Sequence, residues 1–562
     1  MKIYKQLTFT VCITLLGFCS LKVNAQTYSA PSTAGQGGLS NTNLGHFVGI
    51  TNQGNFNVMV GKSAGQLTTN TTNNVFVGVQ SGYRTTGNHN VFVGTLSGFN
   101  NISGTLNTFI GSSSGFNSIS GIQNTFLGFG SGFANTTGDS NVFLGAFAGY
   151  SNNVGMGNTT VGTEAGYNNT ASGNTFLGYR SGYSNTTNSR LTFVGYRAGE
   201  NNTGISNTFI GYDAGQANTT ATHNTFVGQI AGGSNVDGAN NTFLGSASGF
   251  RNVNGSNNTY VGNGSGTTNT GSNNTFVGHN AGFDNRTGIE NTYLGASINN
   301  ETSGGVNASY NTIIGYRAGF AVRGNYNIVI GHKAGQNSQA NGANNIYLGV
   351  SAGLNNTSGG SNMFMGTNAG FTLQSGSNNN FLGSHSGYNN TNGYNNVFFG
   401  HYTGYNNTNG SGNVFIGHYA GYNETGSNKL YINNDSSSTP LIYGDFSTDI
   451  LKVYGKVGIN TDSIGDYELA VDGEVKARKV RVTSDGWADF VFEDDYELRE
   501  LVEVEHYINK NSHLPDVPSE KQVLEEGIDL GEMDAILLRK IEELTLYVIE
   551  LEKKLERLES KK

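Results

Sequence analysis

The stretch Asn174-Thr175-Phe176-Leu177-Gly178-Tyr179-Arg180-Ser181-Gly182-Tyr183-Ser184-Asn185-Thr186-Thr187 carries the pattern that decides the fold. Thr, Phe and Leu favour a strand, glycine and asparagine favour left-handed corners, and this density of glycine is incompatible with a helix. The stretch reads as a short strand, a glycine corner, a second short extended piece and an Asn/Thr turn. The same phrase, N-T-F-V/I/L-G-x-x-A/S-G-Y/F-x-N-T-T-G, recurs about twenty-two times between Gly61 and Gly417. Its first glycine returns every 16 to 18 residues, apart from one longer step from Gly295 to Gly315 that implies an insertion.

Self-similarity at a fixed short period marks a stacked array, in which no unit buries its apolar face alone. The expected fold class is therefore mainly β, a repetitive parallel β-roll or β-helix solenoid with a repeat of about 17 residues. At about 4.8 Å per rung the array predicts a rod on the order of 100 Å long. A series of antiparallel hairpins would also use glycine turns, but it does not require one fixed period.

Composition agrees with the array. The 562 residues include 84 glycines and four prolines, with 12 % charged and 11 % aromatic residues, which excludes a polyproline rod, collagen and a plain disordered linker. The net charge of −9 and the lack of a basic stripe argue against nucleic acid as a partner.

At the N-terminus Lys2 and Lys5 precede an apolar run from Leu7 to Leu21, and Val23-Asn24-Ala25 offers cleavage before Gln26. This is the layout of a secretory signal peptide. A membrane anchor is the alternative, but the run falls short of the roughly 20 apolar residues a span requires. Cys12 and Cys19 both lie in this segment, and Phe18 before Cys19 fits a lipoprotein signal poorly, so the mature chain is expected to have no cysteine and no transmembrane segment.

Each strand carries two neighbouring apolar residues, as in Phe126-Leu127, Phe176-Leu177, Phe226-Val227 and Phe415-Ile416. Adjacent side chains on a strand point to opposite faces, so one fills the coil and the other recurs outside at every rung. Such a stripe exceeds what a soluble monomer usually exposes, and the simplest cover is the same stripe on sister chains. The alternative buries both faces within one thick monomeric roll.

From about Lys429 the repeat gives way to short strands at Leu430-Tyr431-Ile432, Leu441 to Gly444, Leu451 to Tyr454 and Val457 to Asn460. Leu469 to Ala477 predicts a further strand pair turning at Asp472-Gly473. Three helices follow: one over 496–509, one capped by Ser519 and Gln522 and ending at Gly527, and one from about Glu532 nearly to the end. In the last, Leu537, Ile541, Leu544, Val548, Leu551, Leu555 and Leu558 alternate steps of four and three, the spacing of a coiled-coil seam. From Arg481 onwards there are 22 acidic and 11 basic residues, read as solvated helix faces. The domain reading is a signal peptide at 1–25, a linker at 26–45, the array at 46–428, a β-rich connector at 429–480, a small helical module at 481–531 and a coiled-coil helix at 532–562.

Nothing forms a catalytic constellation, and no cofactor or metal is expected. His506 and His513 flank a predicted helix end without a third ligand at a diagnostic spacing, and the array lacks the G-G-x-G-x-D phrase of calcium-binding β-rolls. The G-x-x-x-G coincidences come from the repeat, and the N-x-T triplets read as turn chemistry. Tyr179, Tyr183, Tyr196 and Tyr212 are either packed spacers or a surface for stacking on sugars. An ice-binding face is a further alternative, although the repeat supplies one threonine per rung.

The ladder N-T-F-V-G-x-x-A-G resembles the head repeats of trimeric autotransporter adhesins. That resemblance implies a left-handed parallel β-roll, a trimer and binding to a host or cell-surface receptor, but those heads use a shorter repeat and no C-terminal run of barrel strands is found here. The phrases Asp485-Gly486-Trp487-Ala488-Asp489-Phe490-Val491-Phe492 and His513-Leu514-Pro515-Asp516-Val517-Pro518-Ser519-Glu520 resemble the end module of secreted tail-fibre-like proteins of Bacteroidetes. These likenesses imply an exported chain, extracellular or on the surface of a Gram-negative bacterium. β-Branched residues at Ile541 and Val548 with Leu at the alternate positions lean towards a dimer, whereas the adhesin resemblance leans towards the favoured trimer. Some phage tail spikes end in a chaperone that cuts itself off through serine chemistry, and Ser484 is the candidate here for that alternative. The expected function is a non-enzymatic fibrous or adhesin-like protein, oligomerised through its array and its C-terminal coiled coil, with a surface glycan or receptor as partner.

Overall fold

The computed structural model describes residues 40–300, 307–338, 342–483, 487 and 489–561. The predicted signal peptide, both cysteines and Ser484 lie outside them. The chain divides into two compact units, one through Gly455 and one from Lys456.

The first unit is a parallel β-solenoid of three-residue strands, from β1 (Thr42–Leu44) to β23 (Val414–Ile416), each paired in register with the next. Thus Phe176 lies level with Phe193, and Phe193 with Phe209. The central residue of each strand points inward and is fully buried in almost every rung, while its two neighbours stand on the outer surface. The inward residues form a column of stacked rings, with centroids 4.7 Å apart from Phe109 to Phe126 and 4.8 Å apart from Phe209 to Phe226. Offset stacking of this kind adds to the apolar burial.

The invariant glycine is required twice over. Gly178 has φ 134°, and a Cβ there would sit 2.2 Å from the carbonyl oxygen of Gly195 in the next coil. The expected second extended piece is not a strand. Arg180 (φ 53°) and Gly182 (φ 62°) are both left-handed, so the chain turns where extension was anticipated. That turn tucks Ser181 inside and brings Gly182 against the ring of Phe176, where a Cβ would approach to 2.6 Å.

A second column runs beside the rings. The residue before each strand is a buried Asn in every rung from Asn57 to Asn413 except at Leu191. Asn141 is representative: its backbone N–H donates to Oδ1 of Asn124 at 3.0 Å, and its Nδ2 donates to the same oxygen at 3.1 Å and to the Gly155 carbonyl at 2.8 Å. The buried amide is satisfied only because identical residues stand above and below it.

Two features interrupt the ring column. In β8 (Thr159–Val161) the inward residue is Thr160, which separates a buried cluster ending at Ala148 from one beginning at Ala165. Further on, Ile313 and Val329 replace rings, and Tyr260, Tyr293 and Tyr347 occur as buried phenols bonded to Asn side chains. Burial pushes the Tyr293 phenol up to about 12, against hydrogen bonds from Asn299, Asn285 and Asn311 that lower it.

The array ends in a different geometry. β24 (Lys429–Ile432) continues the parallel ladder, and β25 (Ile442–Asp445) and β26 (Ile450–Val453) then add antiparallel strands. Tyr431 takes the inward place edge-on to Phe415, and Lys429 pairs with Asp445 at 2.5 Å. That hydrogen bond, with a second from Ser447, holds the Asp445 carboxyl well below the usual carboxylate range.

In the second unit β27 (Val457–Ile459) and β28 (Leu469–Val471) pair in parallel. The hairpin expected at Asp472-Gly473 does not form: β28 takes β27 as its partner, and the residues after the turn are not a strand. Three helices follow: α1 (Leu501–Asn511), α2 (Glu520–Glu526) and α3 (Leu530–Glu559). Ser519 and Gln522 close the expected capping box on α2, and Asp529 caps α3. The first helix starts later than the expected Tyr496, because Glu500 is extended and the Tyr496 hydroxyl is engaged with Glu543 of α3.

Candidate functional site

The sequence points to two surfaces, and the structure gives each a definite chemistry. The first is the outer face of the three-residue strands. Alternation on a pleated strand places residues one and three together outside, so the face carries two parallel rows. One row is aliphatic, running through Leu127, Leu144, Leu177, Ile210 and Leu244, and each of these side chains is exposed. The other is largely threonine and is unbroken from Thr159 to Thr312. No charged residue occurs in either row between β1 and β23. Twenty-two steps of about 4.8 Å and a width of about 10 Å make a strip of roughly 1,000 Å².

The threonine row was expected to be a weak feature, yet all ten members from Thr159 to Thr312 face outward and none is buried. Their hydroxyls make no hydrogen bond to another described residue. Threonines elsewhere in the coil behave otherwise, since Thr170 and Thr203 donate to carbonyls of the following coil at 3.0 and 3.1 Å.

The tyrosines proposed as sugar platforms lie in ring ladders. Tyr179, Tyr196 and Tyr212 stack at 5.1 Å, and Tyr183 stacks on Tyr167 at 5.2 Å. The Arg180 guanidinium lies 4.1 Å from the centre of the Tyr183 ring. Ring faces are turned towards neighbouring rungs, and sequence alone could not distinguish this from open faces. Arg180 also joins an ion ladder, pairing with Glu164 at 3.2 Å and with the nearly buried Glu200 at 2.8 Å, while Glu200 pairs with Arg197 at 2.8 Å.

The second surface is on α3. Leu537, Ile541, Leu544, Val548, Leu551, Leu555 and Leu558 all lie on this helix, 45 to 66 % exposed. Other positions of α3 hold the rest of the module. Lys540 reaches Asp516 at 3.2 Å and Glu543 at 2.8 Å, Arg499 reaches Asp516 at 3.1 Å, and the Tyr547 hydroxyl donates to the Arg499 carbonyl. Burial raises the Asp516 carboxyl, but Lys540, Arg499 and Arg539 outweigh it and leave the group below its ordinary value. Burial, then the hydrogen bond to Glu543, pushes the Tyr496 phenol up to about 12.

Asp516 lies in the His513-to-Glu520 phrase, so its position was visible, but its role depends on cations far along the chain. His513 is half-buried and His506 exposed, and no group of three or more metal-ligating side chains occurs among the described residues. No helix among them is long and apolar enough to cross a membrane. The chain matches no protein-family model and no curated protein.

Proposed function

We propose that this is an exported, non-enzymatic fibrous protein of a cell surface, structural or adhesin-like. Its copies associate through the α3 seam and the uncharged outer rows of the array. The observation that carries the reading is the seam: seven aliphatic side chains at heptad spacing, all solvent-exposed on one 30-residue helix. About three heptads are marginal as an isolated helix but suffice as a zipper when copies share the cost of ordering. The array supports the same reading, because a strip of roughly 1,000 Å² per copy reaches the size of a specific interface. The trimer is favoured by the resemblance to adhesin heads, and the a/d residue types keep the dimer as the other arrangement. A surface glycan or receptor is the partner this class of fibre implies.

The test is light scattering on residues 26–562, with and without residues 536–562. A multi-chain mass that falls to that of one chain on truncation is the expected result. A single-chain mass for the longer form at micromolar concentration overturns the reading.

The ten outward threonines favour a second reading, a solenoid that binds an ordered lattice such as ice. Their β-branched side chains are stiff and repeat with the rungs. Ice that grows unimpeded and without thermal hysteresis in the presence of the protein removes it.

A further inference from the structure

The segment between Lys456 and Phe492 has almost no interior of its own. Its two strands form a single pair, and an isolated two-stranded sheet is marginal at best in water. Tyr467, Leu469, Val475 and Val480 are 57 to 72 % exposed, and Val491 is the buried large apolar residue among those described there.

After β28 the residues Gly473–Val482 read G-E-V-K-A-R-K-V-R-V. Val475 and Ala477 alternate with charged residues, and so do Val480 and Val482. Each pair has the alternation of a half-buried strand, and the consecutive Arg478-Lys479 shifts the phase between them, so a bulge there would be needed to keep all four apolar side chains on one face. Yet no backbone hydrogen bond joins the segment to another described residue. Alternating side chains on an unpaired backbone are what a strand presents when its neighbour belongs to another chain.

Charge says which neighbour. Lys476, Arg478, Lys479 and Arg481 make no ion pair with another described residue, whereas the loop between β27 and β28 carries Asp462, Asp466 and Glu468, and Asp472 follows β28. Of these acids only Asp466 approaches a cation, Lys456 at 3.9 Å. A basic segment and a strand pair whose acids lie in its connecting loop and just beyond its second strand thus lie next to each other in sequence, with no ion pair between them among the described residues. The α3 seam belongs to the same compact unit, and parallel association there would bring equivalent segments of two copies to one level.

We infer that Gly473–Val482 of one copy adds as a strand to the β27–β28 pair of a second copy, with its cations set against the acids of residues 462–472. The inference rests on the association proposed above and names the contact through which the chains interlock. It also explains the missing hairpin: the residues that would have formed it are complementary to a sister chain.

The test uses two forms of the mature chain. One carries Lys476→Glu, Arg478→Glu, Lys479→Glu and Arg481→Glu, and the other carries Asp462→Lys, Asp466→Lys, Glu468→Lys and Asp472→Lys. Amide exchange at 473–482 is read by mass spectrometry, and light scattering reports the number of chains. In the unmodified assembly these amides are expected to exchange about 100-fold more slowly than in a free peptide. Each form alone loses that protection, and refolding the two together restores it. An unmodified assembly that is multi-chain yet exchanges at the free-peptide rate overturns the inference and leaves the association standing. Protection that survives in either form alone, or in a single-chain truncation lacking 536–562, also overturns it. A single-chain mass for the unmodified protein overturns the association itself, and the inference with it.

Discussion

In the array, Phe226 lies 4.7 Å from the ring of Phe243, both are fully buried, and the asparagines beside them bond to their own kind one coil away. In residues 456–562 Leu469, Trp487, Leu544 and Leu551 are each more than half exposed. The array draws its interior from repetition, since nearly every rung supplies its neighbour with a ring, an amide and a glycine. The second unit has no repeat to supply one. Apolar surface there stays exposed, while its polar contacts converge on Asp516.

The sharpest way to break this contrast is to spoil one rung. Gly195 has φ 139° and would place a Cβ 2.3 Å from the Gly211 carbonyl oxygen. Gly195→Val is expected to cost about 4 kcal/mol or more, at the upper end for single substitutions. Hydrogen exchange mapped along the chain should show lost protection in rungs near Gly195 and unchanged protection in α1 and α3. Equal loss in both units would show that they do not stand independently.

A smaller effect separates the units by pH. The Tyr293 phenol, raised to about 12, stays neutral in the folded array while its unfolded counterpart ionises near 10, so its stabilisation is complete below pH ~10 and is lost between ~10 and ~12. Burial raises Tyr260 and Tyr347 in the same direction. Asp516 runs oppositely: its carboxyl is depressed, so its contribution is present above the unfolded value near 4 and is lost as the pH falls through the folded one. Circular dichroism melts should show the β signal weakening in alkali and the helical signal in acid. Combined Tyr260→Phe, Tyr293→Phe and Tyr347→Phe should remove most of the alkaline loss.

The smallest expected effect sharpens the account of the array's interior. Thr160 is buried in the ring column and its hydroxyl has no hydrogen-bond partner among the described residues. Thr160→Val is isosteric and removes the unmet hydroxyl, so a gain of about 1 kcal/mol is expected in denaturant unfolding of the array. A loss would mean that the hydroxyl is satisfied by solvent.

Much of the array was legible because strand, corner and inward ring are decided by residues within one repeat. Phe176 and Gly178 announce their roles locally. Asn174 does not, because asparagine suits a turn equally well, and its burial emerges only when its partners at Asn158 and Asn169 are brought beside it. The signal was present in the near-invariance of that position just before each strand, broken only at Leu191. The helix α3 was legible because the spacing of Leu537 to Leu558 is local to a helix. The Asp516 contacts were not, since they join residues 17 and 24 positions apart. The hairpin at Asp472-Gly473 failed for a related reason: turn chemistry permits a reversal but does not dictate that the residues after it form a strand.

The antiparallel closure at β24 to β26 means that array length is decoupled from everything that terminates it. Because β1 to β23 each bond only to adjacent rungs, duplicating or deleting one unit of 16 to 18 residues would add or remove a single step and leave both ends chemically unchanged. Reach can therefore vary by recombination between near-identical gene segments, in increments of about 4.8 Å. A lineage carrying such a chain could tune the length of the array without redesigning either terminus.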